Sequence, residues 1–184
     1  MTGIQKSQQK LSREALLPLM ANHILTHGMG GASLRPLAKA AGTSDRMLIY
    51  HFGNKERLIA DVLAYIARAY SEVLDASLSG ERSTSRRELL DRIIKRTSGS
   101  DMEPFLALWW EIVAGSARDL PGYRAAAQSV MSQLLAWLAE QMPENDPDPS
   151  GGATYLLTMI EGAQMLSAIG HDAIGMRGLE TAPL

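Results

Sequence analysis

Between residues 44 and 55 the chain reads SDRMLIYHFGNK, and the side chains in it suit contact with nucleic acid more than they suit a core. Asp45 and Arg46 stand at the tip of a nine-residue segment, Ser44 to Phe52; Tyr50 and His51 lie near its end and Lys55 comes after it. An arginine fork can bind guanine in a major groove, worth about 1–3 kcal/mol of discrimination, and a carboxylate can accept from a cytosine amino group. Asp45 has a second explanation, since an acid at a helix start is favoured by the helix dipole. His51 could equally cap or pack within its own unit.

Other chemistries are poorly represented. With no cysteine there is no disulfide framework and no thiolate zinc site, which fits a reducing cytoplasm. No Glu-x-x-His, His-Glu-x-x-His, Gly-x-Ser-x-Gly or phosphate-cradling loop occurs. Gly28-Met-Gly-Gly follows no strand and is no dinucleotide fingerprint. His23 and His27 have the i, i+4 spacing of a metal pair, but no third ligand cluster accompanies them, so they read as helix surface and no metal or cofactor is expected. Further along, Met102, Phe105, Trp109, Trp110, Glu111, Met131 and Tyr155 offer apolar walls and one carboxylate, the makings of a small-molecule pocket with a polar handle. At helical spacing Phe105, Trp109 and Ile112 also suit a plain core, and Glu111 could receive a cation or face solvent.

Charge separates the chain into two parts. The first sixty of its 184 residues hold eight Lys/Arg against three Asp/Glu, and the rest hold ten against seventeen. The overall −2 therefore hides a basic head on an acidic body, a pattern that suits a polyanionic partner at one end. The polar start MTGIQKSQQKLSRE has no apolar signal region. The uncharged run 15–34 contains Pro18, Asn22, two histidines and three glycines, so no membrane span is expected.

The elements that must carry these residues all read as helix. Period-two β-branched runs are missing. Leu16, Met20 and Ile24 define a first helix from about Arg13 to His27, with Pro18 inside it as a misfit that should delay or kink the helix. Ser33 is a plausible cap for a second helix patterned by Leu34, Leu37, Ala38 and Ala41, and Gly42 should end it. Thr43 or Ser44 caps the third. Gly53-Asn54 breaks the chain again, and Asn54 can cap a long fourth helix to about Ser77. Polar punctuation from Ser79 to Ser85, at Ser98–Asp101, at Asp119–Gly122 and after Met142 leaves helices near 86–97, 102–118, 122–141 and 151–169, with one short helical piece in the tail.

Two short helices joined by a glycine turn form a helix-turn-helix unit. At 100° per residue Leu48 and Phe52 share an inner side, facing Leu37, Ala41 and Ile24, whereas Asp45, Arg46, Ile49 and Tyr50 share an outer one. Such an outer face can enter a major groove, while the helix starts at Ser33 and Lys55 can point backbone amides at phosphates. The stretch Gly28 to Leu63, centred on SLRPLAKAAGTSDRMLIYHFGNKERLIADVL, resembles the N-terminal domain of TetR-family transcriptional regulators. Ser33, Leu34, Arg35, Leu37, Ala38, Ala41, Gly42, Ser44, Leu48, His51, Phe52, Lys55 and Leu58 match the family pattern without gaps.

The resemblance implies an all-α fold, with a helix-turn-helix DNA-binding domain over residues 1–54 and a helical effector-binding and dimerisation domain over 55–184. It implies base contacts for Asp45, Arg46, Met47 and Tyr50, and phosphate contacts for Ser33, Ser44, His51 and Lys55, with Arg35 beside them. Ile49 replaces a tyrosine of the family pattern, so a backbone contact is lost or exchanged for one with a thymine methyl. The helix near 151–169 is apolar nearly all round and needs cover from a second subunit as well as its own domain, with the helix near 122–141 as its companion. The expected whole is a homodimeric repressor on a palindromic double-stranded operator, released by an apolar small-molecule effector, with the fourth helix as the lever between body and head. Two rivals are a DNA-bound structural or interaction protein with a filled core, and an enzyme with an incidental helical head.

Overall fold

A computed structural model describes residues 12–78 and 82–183. Residues 1–11, 79–81 and 184, and with them the polar start and part of the Ser79–Ser85 punctuation, lie outside these. Helix α1, Arg13–His27, starts where Ser12 Oγ accepts from the Ala15 N–H and stops at Gly28. It passes unbroken through Pro18, against the expectation of a late start or kink. Pro18 is exposed, and the carbonyl it leaves unpaired, that of Glu14, belongs to an exposed first turn where water can take it.

A single 3-10 turn, Met29–Gly31, leads to α2, Leu34–Ala40, and then α3, Asp45–Phe52. Between α2 and α3 the chain reverses at Gly42, whose φ of 64° would strain any residue bearing a Cβ. Ser44 rather than Thr43 caps α3, accepting from the Met47 N–H at 3.3 Å. Asn54 Oδ1 accepts from the Arg57 N–H at 2.8 Å and so starts α4, Lys55–Leu78.

The body continues with α5, Arg86–Thr97, a second 3-10 turn, Ser100–Met102, and α6, Glu103–Ala117. Then come α7, Tyr123–Gln141, α8, Pro149–Ala168, and α9, Asp172–Thr181, the helical piece expected in the tail. Helix α8 begins two residues before the expected position because Asp148 accepts from the Gly151 N–H and Pro149 fits a first helical position. Ahead of it, Arg86 grips Asp146 through two bonds of 2.7 Å, tying the 142–148 loop to the start of α5. No strand occurs among the described residues, and no helix there is long and apolar enough to cross a membrane.

Two apolar clusters hold the chain together. The first gathers Leu16, Met20 and Ile24 of α1, Leu37 of α2, Leu48 and Phe52 of α3, Leu58 and Val62 of α4, and reaches Leu108 and Ile112 of α6. The second joins Leu89 and Ile93 of α5, Leu138 of α7, Leu156 and Ile160 of α8 and Leu179 of α9. Each fully buried leucine contributes about 1.5–3 kcal/mol by leaving water. Truncating Leu48, which is wholly buried, to alanine would cost about 2–5 kcal/mol and loosen α3 from its seat.

Candidate nucleic-acid interface and pocket

With Leu48 and Phe52 buried, the opposite side of α3 is turned outward. Asp45 and Arg46 are exposed, Tyr50 is 70% exposed, and Met47, Ile49 and His51 are half-buried. The Tyr50 and His51 rings meet edge to face at 5.3 Å, which sets the tyrosine beside the histidine at the end of the helix. Asp45 occupies the first turn, where its charge complements the helix dipole.

Flanking positions complete the surface. Ser33 stands at the N-cap of α2 but makes no capping bond with its side chain, so its hydroxyl is not committed to the helix. Ser44, by contrast, uses its oxygen as the cap of α3. Arg35 is exposed in the first turn of α2, and Lys55 is the exposed first residue of α4. Among the described residues Arg35, Arg46 and Lys55 form no ion pair. Arg13 of α1 does pair, with Asp61 of α4 at 2.5 Å, and its guanidinium lies over the Phe52 ring at 5.3 Å, so it braces the three-helix unit from behind.

His23 and His27 stack at 4.2 Å, and His27 Nδ1 lies 3.0 Å from the His23 carbonyl. His23 is not plain surface: its Nε2 is buried without a hydrogen-bond partner, against the backbone of Gly31, and burial first, then His27, pushes its pKa down. The described residues contain no group of three or more acidic, histidine or cysteine side chains able to hold a metal.

In the body, α4, α6, α7 and α8 enclose a cleft of about 510 Å³ counting its mouth, of which the centres of water molecules can reach about 50 Å³. Phe105, Trp109 and Met131 are among its lining residues. Four other expected residues lie elsewhere. Met102 is fully buried at the start of α6, away from the cleft. Trp110, about 100° around α6 from Trp109, lines a separate groove toward α8 and α9. Tyr155 packs half-buried against the second cluster.

Glu111 is exposed, and its carboxylate accepts from the Met29 N–H at 2.7 Å, binding α6 to the 3-10 turn before α2. Gly28 makes room for that contact: it turns at φ 67°, and a Cβ there would sit 2.2 Å from Glu111 Oε1.

The carboxylate that does face the cleft is Glu161, the one charged residue of α8, which the sequence pattern alone does not assign to a pocket. It accepts a hydrogen bond of 2.8 Å from Trp109 Nε1. Burial holds the Glu161 carboxyl above the usual range, with the Trp109 bond pulling the other way. Tyr70 of α4, its ring 5.5 Å from that of Phe105, lines the same wall, and burial first, then the Glu161 charge, pushes its hydroxyl up to about 12.

On α8 and α9 an apolar strip stays uncovered in the single chain: Met165, Ile169, Ile174 and Met176 are 46–62% exposed. Gly162 opens onto empty space, while Ala163 packs tightly against Gly175 of α9.

Fold and surface together define a helix-turn-helix protein with an all-helical body. Residues 21–62 match the family model of bacterial regulatory proteins of the tetR family. It is 28% identical over 71 residues to the transcriptional repressor NicS of Pseudomonas putida and 29% identical over 107 residues to the transcriptional regulator BetI of Pseudomonas fluorescens. Those alignments take in 39% and 55% of this chain and only 34% and 54% of the two relatives' lengths. The fold is shared with the multidrug binding protein EbrR in its complex with proflavin, at a TM-score of 0.65 and 20% identity, over 91% of this chain and 97% of that one.

Proposed function

We propose that the protein is a homodimeric transcriptional repressor that binds a palindromic double-stranded DNA operator and is released by a small molecule held in the cleft of its body. The observation that carries this reading is the outward face of α3, where Asp45, Arg46 and Tyr50 stand exposed on a helix anchored from behind by Leu48 and Phe52. In it Arg46, Asp45, Met47, Ile49 and Tyr50 meet base edges, and Ser33, Arg35, Ser44, His51 and Lys55 hold phosphates. The head over residues 1–54 is a functional rather than a packing division, since its core runs on into α4 and α6.

Similarity to the repressor NicS favours repression, and the EbrR complex with proflavin favours a small-molecule effector. The uncovered strip of α8 and α9 favours a symmetric partner, with α7 alongside. Two heads would then reach half-sites about one DNA turn apart or somewhat more. The test is selection of bound fragments from the source genome, followed by gel-shift titration on full and half sites. Preference for one palindromic sequence supports the reading; equal affinity for full site, half site and random duplex overturns it.

A further inference from the structure

The cleft, taken as the effector site proposed above, has walls that favour one class of ligand. Resting on that effector reading, we infer that the cleft takes a monovalent organic cation with an apolar body, its charge set against Glu161 and its body among Phe105, Trp109 and Tyr70. Glu161 reaches the cleft with one carboxylate oxygen bound by Trp109 Nε1, and the described residues supply no Lys, Arg or His to the cleft wall to balance its charge. The faces available beside it are aromatic, and ring faces attract cations. The other polar groups of the wall are Tyr70, held to Gln164, and Gln164 itself, neither of which neutralises a carboxylate.

A buried carboxylate without a counter-ion has two ways to lower its free energy: it takes up a proton, or it meets a cation. Burial raises the Glu161 pKa and so tilts the balance toward the first when no cation is present. The second expels the proton and binds the ligand, so affinity for a permanent cation must fall as pH is lowered. An anionic effector would meet an unbalanced like charge, and a neutral one would leave the carboxylate as it is. The groups that face Glu161 from neighbouring helices do not confuse this dependence. Burial and the Glu161 charge push the Tyr70 hydroxyl of α4 up to about 12, Arg96 of α5 is paired with Asp101 and does not line the cleft, and the α6 and α7 residues of the wall carry no titratable group.

The experiment uses the full chain and three probes of matched size: benzyltrimethylammonium, its neutral isostere neopentylbenzene, and 4-tert-butylbenzoate. Binding is read by tryptophan fluorescence and calorimetry between pH 5 and 8. The expected result is cation affinity at least tenfold above the neutral isostere at pH 8, no measurable binding of the anion, and a cation affinity that declines toward pH 5. Glu161→Gln should erase both the preference and the pH dependence. Binding of the neutral or anionic probe at equal or greater strength, or a cation preference that survives Glu161→Gln or is flat with pH, overturns the assignment of ligand class and leaves the cleft as an effector site. If none of the three probes binds, the effector reading and the ligand class both fall.

Discussion

Trp109 and Glu161, fifty-two residues apart in sequence, are joined by a 2.8 Å hydrogen bond that ties α6 to α8 across the cleft. Among the described residues the bond is the one hydrogen bond that Glu161 receives to soften its burial, and it defines the first expected outcome. Because the folded-state pKa of Glu161 is raised, its contribution to stability is fully present below the ordinary carboxyl range and is lost as pH rises through the raised value. The ligand-free protein therefore bears this penalty at neutral pH. Glu161→Gln, which keeps an acceptor for Trp109, should melt higher than the parent chain at pH 7.5, and the gap should close as pH falls toward 4. A thermal melt series across pH checks it; a gap that is constant or opens at low pH contradicts the assignment.

Trp109→Phe keeps an aromatic ring in the wall and deletes the donor. A hydrogen bond to a charged group is worth about 1.5–3 kcal/mol, so the variant should lose stability of that order at neutral pH and less once Glu161 is protonated. Denaturant titration at pH 7.5 and pH 4.5 separates the two.

Among the described residues Tyr50 is the most exposed of the large apolar side chains on the head, so removing it should leave folding within about 0.5 kcal/mol of the parent. Tyr50→Ala should weaken binding to the selected operator far more than to random duplex. Lys55→Ala should weaken both alike and lower the slope of log affinity against log salt by about 1. Gel shifts at several salt concentrations distinguish the pair, and a uniform loss for Tyr50→Ala would mean that it does not read sequence.

Glu111 joins the body to the head through the Met29 N–H, and Trp109 lies two residues before it on the same helix. Glu111→Ala should leave operator affinity and effector affinity each near the parent value while reducing the factor by which one changes the other, a factor that is reciprocal and typically 5–150-fold. Effector titrations with and without operator measure it. An unchanged factor would show that the contact carries no signal.

The Arg86–Asp146 pair closes the loop ahead of α8, and the Asp146 side chain is 2% exposed. Bonding to Arg86 holds its carboxyl below the usual range, so this support is present above the unfolded carboxyl value and fades only as pH falls through the lower folded one. Asp146→Asn should cost about 2 kcal/mol at pH 7, by chemical denaturation, and correspondingly less in strong acid.

The helices of the head could be read from the chain because their ends are written in local chemistry. Ser44 and Asn54 cap through bonds to residues three positions on, and Gly28, Gly42 and Gly53 supply the positive φ at which helices stop. The two sides of α3 came from helical angle alone, since one side is filled by Leu48 and Phe52. Pro18 misled because its effect depends on whether water reaches the orphaned carbonyl, which is a matter of tertiary exposure.

The cleft was only half legible for the same reason. Helix α6 is apolar around most of its circumference, so sequence cannot say which of Trp109 and Trp110 faces inward. Nor could it tell that Glu111 turns toward Met29 while Glu161, from a helix fifty residues further on, supplies the carboxylate.

Helix α4 runs without a break for 24 residues, from the exposed Lys55 to Leu78, with Tyr70 in the wall of the cleft. At 1.5 Å per residue Tyr70 and Lys55 are about 22 Å apart along the axis. Pivoting this rod by about 5° at the tyrosine sweeps Lys55 along an arc of about 2 Å, and mirrored motion in a second subunit doubles the change in span to about 4 Å, more than the 3.4 Å between successive bases on a strand. In the proposed dimer, angular gain set by nothing more than rod length would be enough to put two heads out of register with their half-sites after a displacement in the body no larger than a side-chain rotamer change.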